Sequence, residues 1–159
     1  MIVEDGSIVP DADSYLSVEG ADTYHADRGN AAWAELAKAA KEAALIKATD
    51  YLTQKYRGRW KGGRVSAEQS LDWPREGVYV DGFAVPDDEV PHAVRKACAE
   101  LALISVTETL NPAIARGVKR EKVGELEIEY QDGAAQVTQY RVADNTLAPY
   151  LKPAGLVRA

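Results

Sequence analysis

Strict alternation over residues 125–130 constrains this chain more than any other feature. Leu126, Ile128 and Tyr130 fall on one side of an extended strand, and Glu125, Glu127 and Glu129 on the other. That is the period-two signature of a half-buried β-strand. It interrupts a sequence whose other segments read as helices. A lone strand leaves its backbone groups unpaired, so it requires a partner. Residues 136–142, across the turn Gln131-Asp132-Gly133, are the nearest candidate. A short hairpin on a helical body is marginal by itself. Coverage from outside the chain would complete it, which points to assembly rather than to catalysis.

The remaining segments read as a small helical bundle. Ser17 is placed to cap a first helix that carries Val18, Ala21, Tyr24 and His25 on one face and stops at Gly29. Trp33 and Leu36 fall in a short linking turn or helix. An Ala-rich segment over about Lys38–Tyr56 places Leu45, Ala48, Leu52 and Tyr56 at spacings of three and four, an amphipathic helix of good propensity. Residues 57–83 are broken by five glycines and read as irregular. Within them, Trp73-Pro74-Arg75 is expected to anchor the loop on the body through its indole. A third long helix is predicted from near Asp88 to about Leu110, with Asp87, Asp88 and Glu89 at its positive end and Pro91 in its first turn. Its stripe is Val94, Ala97, Cys98, Leu101 and Ile104 or Ser105. The expected fold is therefore mainly α, a helical body over about 13–112 with a β-hairpin or strand insertion over about 118–142. A C-terminal segment, 143–159, ends in an extended tail, all in one domain.

Composition excludes several classes of function. A chain of 159 residues with 46% hydrophobic residues can bury a proper core. Its 19 basic and 25 acidic residues give a net charge of −6, so no global attraction to nucleic acid or anionic membrane is expected. Cys98 is the only cysteine, which rules out an intrachain disulfide and suits a cytoplasmic setting. The start of the sequence lacks the basic and apolar regions of a signal peptide. No run approaches the roughly eighteen apolar residues that cross a bilayer.

Chemistry-bearing constellations are sparse. His25 and His92 are the only histidines, and neither has a second ligand at metal-binding spacing. Cys98 sits on an apolar helical stripe, and Asp87-Asp88-Glu89 is explained by helix capping. No Gly-rich phosphate loop or nucleophile elbow is present. The reading is a chain with no enzymatic activity, no metal and no cofactor.

One segment stands apart. Residues 55–64 pack Lys55, Arg57, Arg59, Lys61 and Arg64 into ten positions, with Tyr56 and Trp60 among them and glycines between. Cations beside aromatics suit single-stranded nucleic acid, because phosphates take cations and unstacked bases take π-faces. The same residues also read as a solvated helix end with Trp60 in the core, or as a docking loop for an acidic partner. At the other end, Leu147, Tyr150, Leu151, Leu156 and Val157 are apolar groups on a segment broken by Pro149 and Pro153. They are expected to dock in trans on another protein.

Several segments together resemble the head–tail connector, or adaptor, proteins of tailed bacteriophages, often described as DnaT-like single-stranded-DNA-binding proteins. They are Val3-Glu4-Asp5-Gly6, Asp13-Ser14-Tyr15-Leu16-Ser17-Val18, Ala21-Asp22-Thr23-Tyr24, residues 43–52, Ala67 to Arg75, Val90-Pro91, Ala97 to Leu101 and residues 119–130. The resemblance spans nearly the whole chain and departs most at the C-terminal tail. It implies a non-catalytic virion protein at the neck, assembled in the host cytoplasm as a ring of about a dozen copies. Its partners would be the portal protein, a tail or stopper protein and further copies of itself. Double-stranded DNA would pass through the lumen without specific binding, and no membrane is involved.

In such a ring, Leu126, Ile128 and Tyr130 would form an inter-subunit β element, since strands of neighbouring copies extend one another's sheets. Glu125, Glu127 and Glu129 would face the lumen or solvent, where acidic groups let DNA slide. Lys119, Arg120 and Lys122 have no place in that picture. The alternative is a DnaT-like single-stranded-DNA-binding or replication-accessory module using residues 55–64.

Overall fold

Ser17 has extended backbone geometry, and its hydroxyl accepts the Gly20 N–H at 3.0 Å, so helix α1 (Val18–Ala26) begins where the sequence places it. The computed structural model describes residues 1–112, 120–123, 126–129 and 140–153. A short helix, α2 (Ala31–Ala34), carries Trp33 into the core. Then follow α3 (Lys38–Tyr56), the two-residue strands β1 (Gly63–Arg64), β2 (Arg75–Glu76), β3 (Tyr79–Val80) and β4 (Phe83–Ala84), and α4 (His92–Thr107). The described chain continues with β5 (Arg120–Val123), β6 (Leu126–Glu129), α5 (Arg141–Leu147) and a 3-10 turn (Ala148–Tyr150). The strands form three separate two-stranded antiparallel sheets, β1–β2, β3–β4 and β5–β6. The protein is mainly α, a helical bundle with small β-hairpins.

The core is built between α3 and α4. Leu45, Ala48, Leu52 and Tyr56 of α3 are fully buried against Val94, Ala97, Cys98 and Leu101 of α4, the stripes that the three-and-four spacing predicts. Ser105, not Ile104, completes the α4 stripe. Helix α4 starts four residues later than expected. Pro91 is extended (φ −56°, ψ 143°) and caps the helix rather than sitting in its first turn, so Asp87, Asp88 and Glu89 lie exposed in the preceding loop and cap nothing.

Ahead of α1 the chain is held by a buried carboxylate. Glu4 accepts the N–H groups of Gly6 (2.8 Å), Ile8 (3.1 Å) and Val9 (2.9 Å), closing a loop around its own side chain. Gly6 (φ +115°) lies against the backbone of Asp88 and Glu89, and a Cβ there would stand 2.1 Å from the Asp88 carbonyl oxygen. The Val3-Glu4-Asp5-Gly6 segment thus ties the start of the chain to the approach of α4.

Two expectations about the second half are corrected. The strand Leu126–Glu129 pairs with Arg120–Val123; of the expected partner, residues 136–142, Arg141 and Val142 belong to α5 and residues 136–139 lie outside the described residues. The register sets Lys122 opposite Glu127 and Arg120 opposite Glu129, so these basic and acidic positions share a face of the hairpin. Opposite charges at paired positions support a hairpin. Helix α5 and the turn after it, through Leu151, are part of the body, while residues 154–159 lie outside the described residues. Leu147 and Leu151 are buried in the core, and Tyr150 packs edge-on against Trp73 at 5.8 Å. Leu147, Tyr150 and Leu151 are therefore spent on folding instead of docking in trans. Glu125, Tyr130, Lys119, Leu156 and Val157 lie outside the described residues.

Candidate functional site

The basic segment 55–64 runs from the end of α3 into β1, and the fold uses most of it internally. Lys55 Nζ lies 2.8 Å from Asp144 Oδ1, and the Tyr56 hydroxyl donates to the same carboxylate at 2.6 Å, which joins the end of α3 to α5. Burial pushes the Asp144 carboxyl up, but the hydrogen bonds from Lys55 and Tyr56 and the nearby cations outweigh it and hold its pKa below the ordinary value. Burial, reinforced by the Asp144 carboxylate, raises the Tyr56 phenol.

Trp60 is the residue a stacking platform would need, and it is 1% exposed. Its ring packs 5.5 Å from Tyr56 and 5.6 Å from Trp73, and its Nε1–H donates to the buried Asp72 carboxylate at 3.2 Å. Trp73 is itself fully buried, as the anchoring reading expects. The loop backbone is equally committed. Arg75 Nε donates to the Lys61 carbonyl (2.8 Å), Nη2 to the Gly62 carbonyl (2.9 Å) and Nη1 to the Asp72 carbonyl (3.1 Å). Lys61 Nζ donates to the carbonyls of Tyr79 (3.1 Å) and Pro149 (2.7 Å). The Lys61 N–H reaches the Tyr150 carbonyl, and the Lys152 N–H reaches the Arg59 carbonyl, so the loop is stitched to the C-terminal segment.

Of the five cations, Arg57 and Arg59 remain at the surface. The Arg57 side chain is 65% exposed and approaches Asp72 Oδ1 at only 3.8 Å, while Arg59 lies over the Tyr56 ring at 5.7 Å. Arg64 is half-buried beside β2. Asp72 sits among these arginines, yet burial dominates and raises its carboxyl above the ordinary range. The predicted loop residues are thus brought together, but as a structural joint around Asp72 and Asp144 and not as an open groove. Neither aspartate was singled out by the sequence. The signal that would have found them is that buried tryptophan and tyrosine donors need acceptors.

The other candidates behave as core. Burial lowers the His25 imidazole, which stacks at 4.6 Å on Trp33. Burial pushes the Cys98 thiol up to about 11, so the thiolate that reactivity requires does not form near neutrality. Among the described residues no group of three or more His, Cys, Asp or Glu is placed to hold a metal ion, and no helix is long and apolar enough to cross a membrane. The strand positions Leu126, Ile128, Glu127 and Glu129 all lie on β6.

No curated protein and no solved structure matches the chain. A family model described as "Putative DnaT-like ssDNA binding protein" matches residues 1–159. The chain belongs to that DnaT-like family.

Proposed function

We propose that the chain is a non-catalytic structural protein of tailed-phage particles. In this reading copies form a ring at the neck, between the portal of the head and a tail or stopper protein, and DNA passes through its lumen. The observation that carries the reading is the β5–β6 hairpin. Among the described residues it is a two-stranded sheet separate from the other two. Edges of small sheets recruit strands, and a neighbouring copy at either side would supply them symmetrically in a ring. The charge-paired register suits a lumen that is neither strongly attractive nor repulsive to DNA. The helical body with its inserted hairpin is the architecture that the resemblance to adaptor proteins implies.

The second reading, a single-stranded-DNA-binding module, is favoured by the family's description. The buried Trp60 and the engaged Lys55 and Lys61 argue against it, since they leave Arg57, Arg59 and the half-buried Arg64 to meet phosphates. Deleting the gene distinguishes the two. The adaptor reading expects normal phage DNA synthesis with DNA-filled heads lacking tails. Arrested DNA synthesis with no filled heads would overturn it in favour of the replication module.

A further inference from the structure

The β3–β4 hairpin carries the two most exposed large apolar side chains of the described residues, Phe83 at 78% and Tyr79 at 60%. Its two-residue turn has positive φ at both Asp81 (52°) and Gly82 (85°), the tight geometry that suits strand twist. The base is fastened by the Lys61 ammonium on the Tyr79 carbonyl and by the Val85 N–H on the Val78 carbonyl at 2.9 Å. Asp81 in its turn, and Asp87, Asp88 and Glu89 in the segment that follows β4, are all exposed. The result is a tight knob with Phe83 and Tyr79 exposed on its two faces and an acidic turn, while Val80 packs on the core.

A complementary feature lies between α1 and α4, a cleft of about 400 Å³ with Leu16 and Tyr24 in its lining. Arg28, Arg95, Lys96 and His92 surround it, with Asp27 the one acid. Arg28 is pre-ordered, with its guanidinium 3.5 Å from the Tyr24 ring centroid and bonded to the Tyr24 carbonyl. None of the three cations is in an ion pair among the described residues. In a chain of net charge −6, a cleft that gathers three cations to one acid around Leu16 and Tyr24 runs against the overall charge.

We propose that the β3–β4 knob of one copy seats in the α1–α4 cleft of the next. Phe83 covers the apolar lining, and the surrounding carboxylates meet the cationic rim. Knob and cleft are different surfaces of one chain, so the contact is head-to-tail and propagates from copy to copy, closing where the rotation permits. A phosphate chain would satisfy the cations but leave Phe83 bare and would face Asp27. The proposal rests on the ring reading and gives it a lateral contact independent of the β5–β6 hairpin.

Single-cysteine variants of the full chain test it, since buried Cys98 is shielded from reagent. Ala84→Cys marks the knob and Thr23→Cys the cleft, both exposed and neither in the charged rim. Treated together with a short bis-maleimide, the pair should cross-link at least ~10-fold more than Ala84→Cys mixed with Lys47→Cys on α3. A chain carrying both Ala84→Cys and Thr23→Cys should give a ladder of multimers, because a head-to-tail contact does not stop at two. Phe83→Ala or Lys96→Glu should suppress the product. Equal cross-linking in the Lys47 control overturns the proposal. So does loss of oligonucleotide binding in Lys96→Glu without change in the ladder, which assigns the cleft to phosphate. If unsubstituted particles show a ring of this chain by electron microscopy and no product forms, this contact falls while the ring stands. If neither appears, both fall.

Discussion

Changing Trp60 to Ala separates a folding role for the basic loop from a nucleic-acid role. An indole buries on the order of 200 Å², which at about 25 cal/mol per Å² sets an upper bound near 5 kcal/mol. Truncating large aromatics in cores costs about 3–5 kcal/mol. Trp60 also donates to Asp72, a buried carboxylate that would lose one of its few donors. Together these place Trp60→Ala at about 4–5 kcal/mol, a drop of about 2 M in urea midpoint for an ordinary dependence on denaturant. Trp60→Phe keeps a ring against Tyr56 and Trp73 and loses the N–H donor, so it should cost about 1–3 kcal/mol. Urea unfolding followed by far-ultraviolet circular dichroism reads both variants without relying on tryptophan emission. Oligonucleotide anisotropy on the same samples reads binding. A loss below about 1 kcal/mol in Trp60→Ala, with collapse of oligonucleotide affinity, would refute the reasoning and make Trp60 a stacking residue.

Further outcomes follow from the same contacts. Asp144→Asn should destabilise the protein by about 2 kcal/mol at neutral pH, because it weakens charge-assisted bonds from Tyr56 and Lys55 that are only partly screened by solvent. The folded Asp144 pKa lies below its unfolded value, so this contribution is fully present above the unfolded pKa and fades as pH falls through the folded one. The stability gap between wild type and Asp144→Asn should therefore close in acid, and a gap independent of pH in thermal melts would contradict the ion pair. Gly6→Ala forces a Cβ against the Asp88 carbonyl at a positive φ and should cost about 2 kcal/mol or more, and an unchanged melting temperature would show that the two backbones do not pack. With Arg57 and Arg59 at the surface and Arg64 half-buried, any binding of single-stranded oligonucleotide through the loop should show a log–log salt slope no steeper than about −2.1. A slope near −3.5, the value for about five neutralised phosphates, would show that the loop opens and binds.

The parts of the fold that the sequence foretells are those with a repeating or local signal. Helix α3 spans the residues that its Ala-rich, three-and-four pattern marks, and Ser17 caps α1 because a serine hydroxyl before an apolar face has one obvious partner. The alternation of Leu126 and Ile128 with glutamate does mark a strand. Its partner was obscured because Arg120–Val123 is mostly charged and reads as a solvated run. The β3–β4 hairpin has a local signal within a stretch that otherwise reads as irregular, since Asp81-Gly82 between Tyr79-Val80 and Phe83-Ala84 is a strong two-residue turn signal. What no periodicity reveals is the long-range satisfaction of buried donors. Trp60 finds Asp72 twelve residues on, Tyr56 finds Asp144 across the hairpin insertion, and Glu4 folds the opening loop around itself. The C-terminal segment misled for a related reason. Pro149 and Pro153 mark a broken element, but Leu147 and Leu151 still reach the core from a short helix and a single turn.

Counting and locating this chain in purified virions tests the central claim most directly. Quantitative mass spectrometry with electron microscopy of particles carrying a labelled copy gives both quantities at once. The adaptor account predicts about a dozen copies per particle, the number that the resemblance to adaptor proteins implies, all at the head–tail junction and related by closed rotational symmetry. Particles with intact necks that contain none of the chain, beside free protein that binds single-stranded DNA tightly at physiological salt, would contradict it.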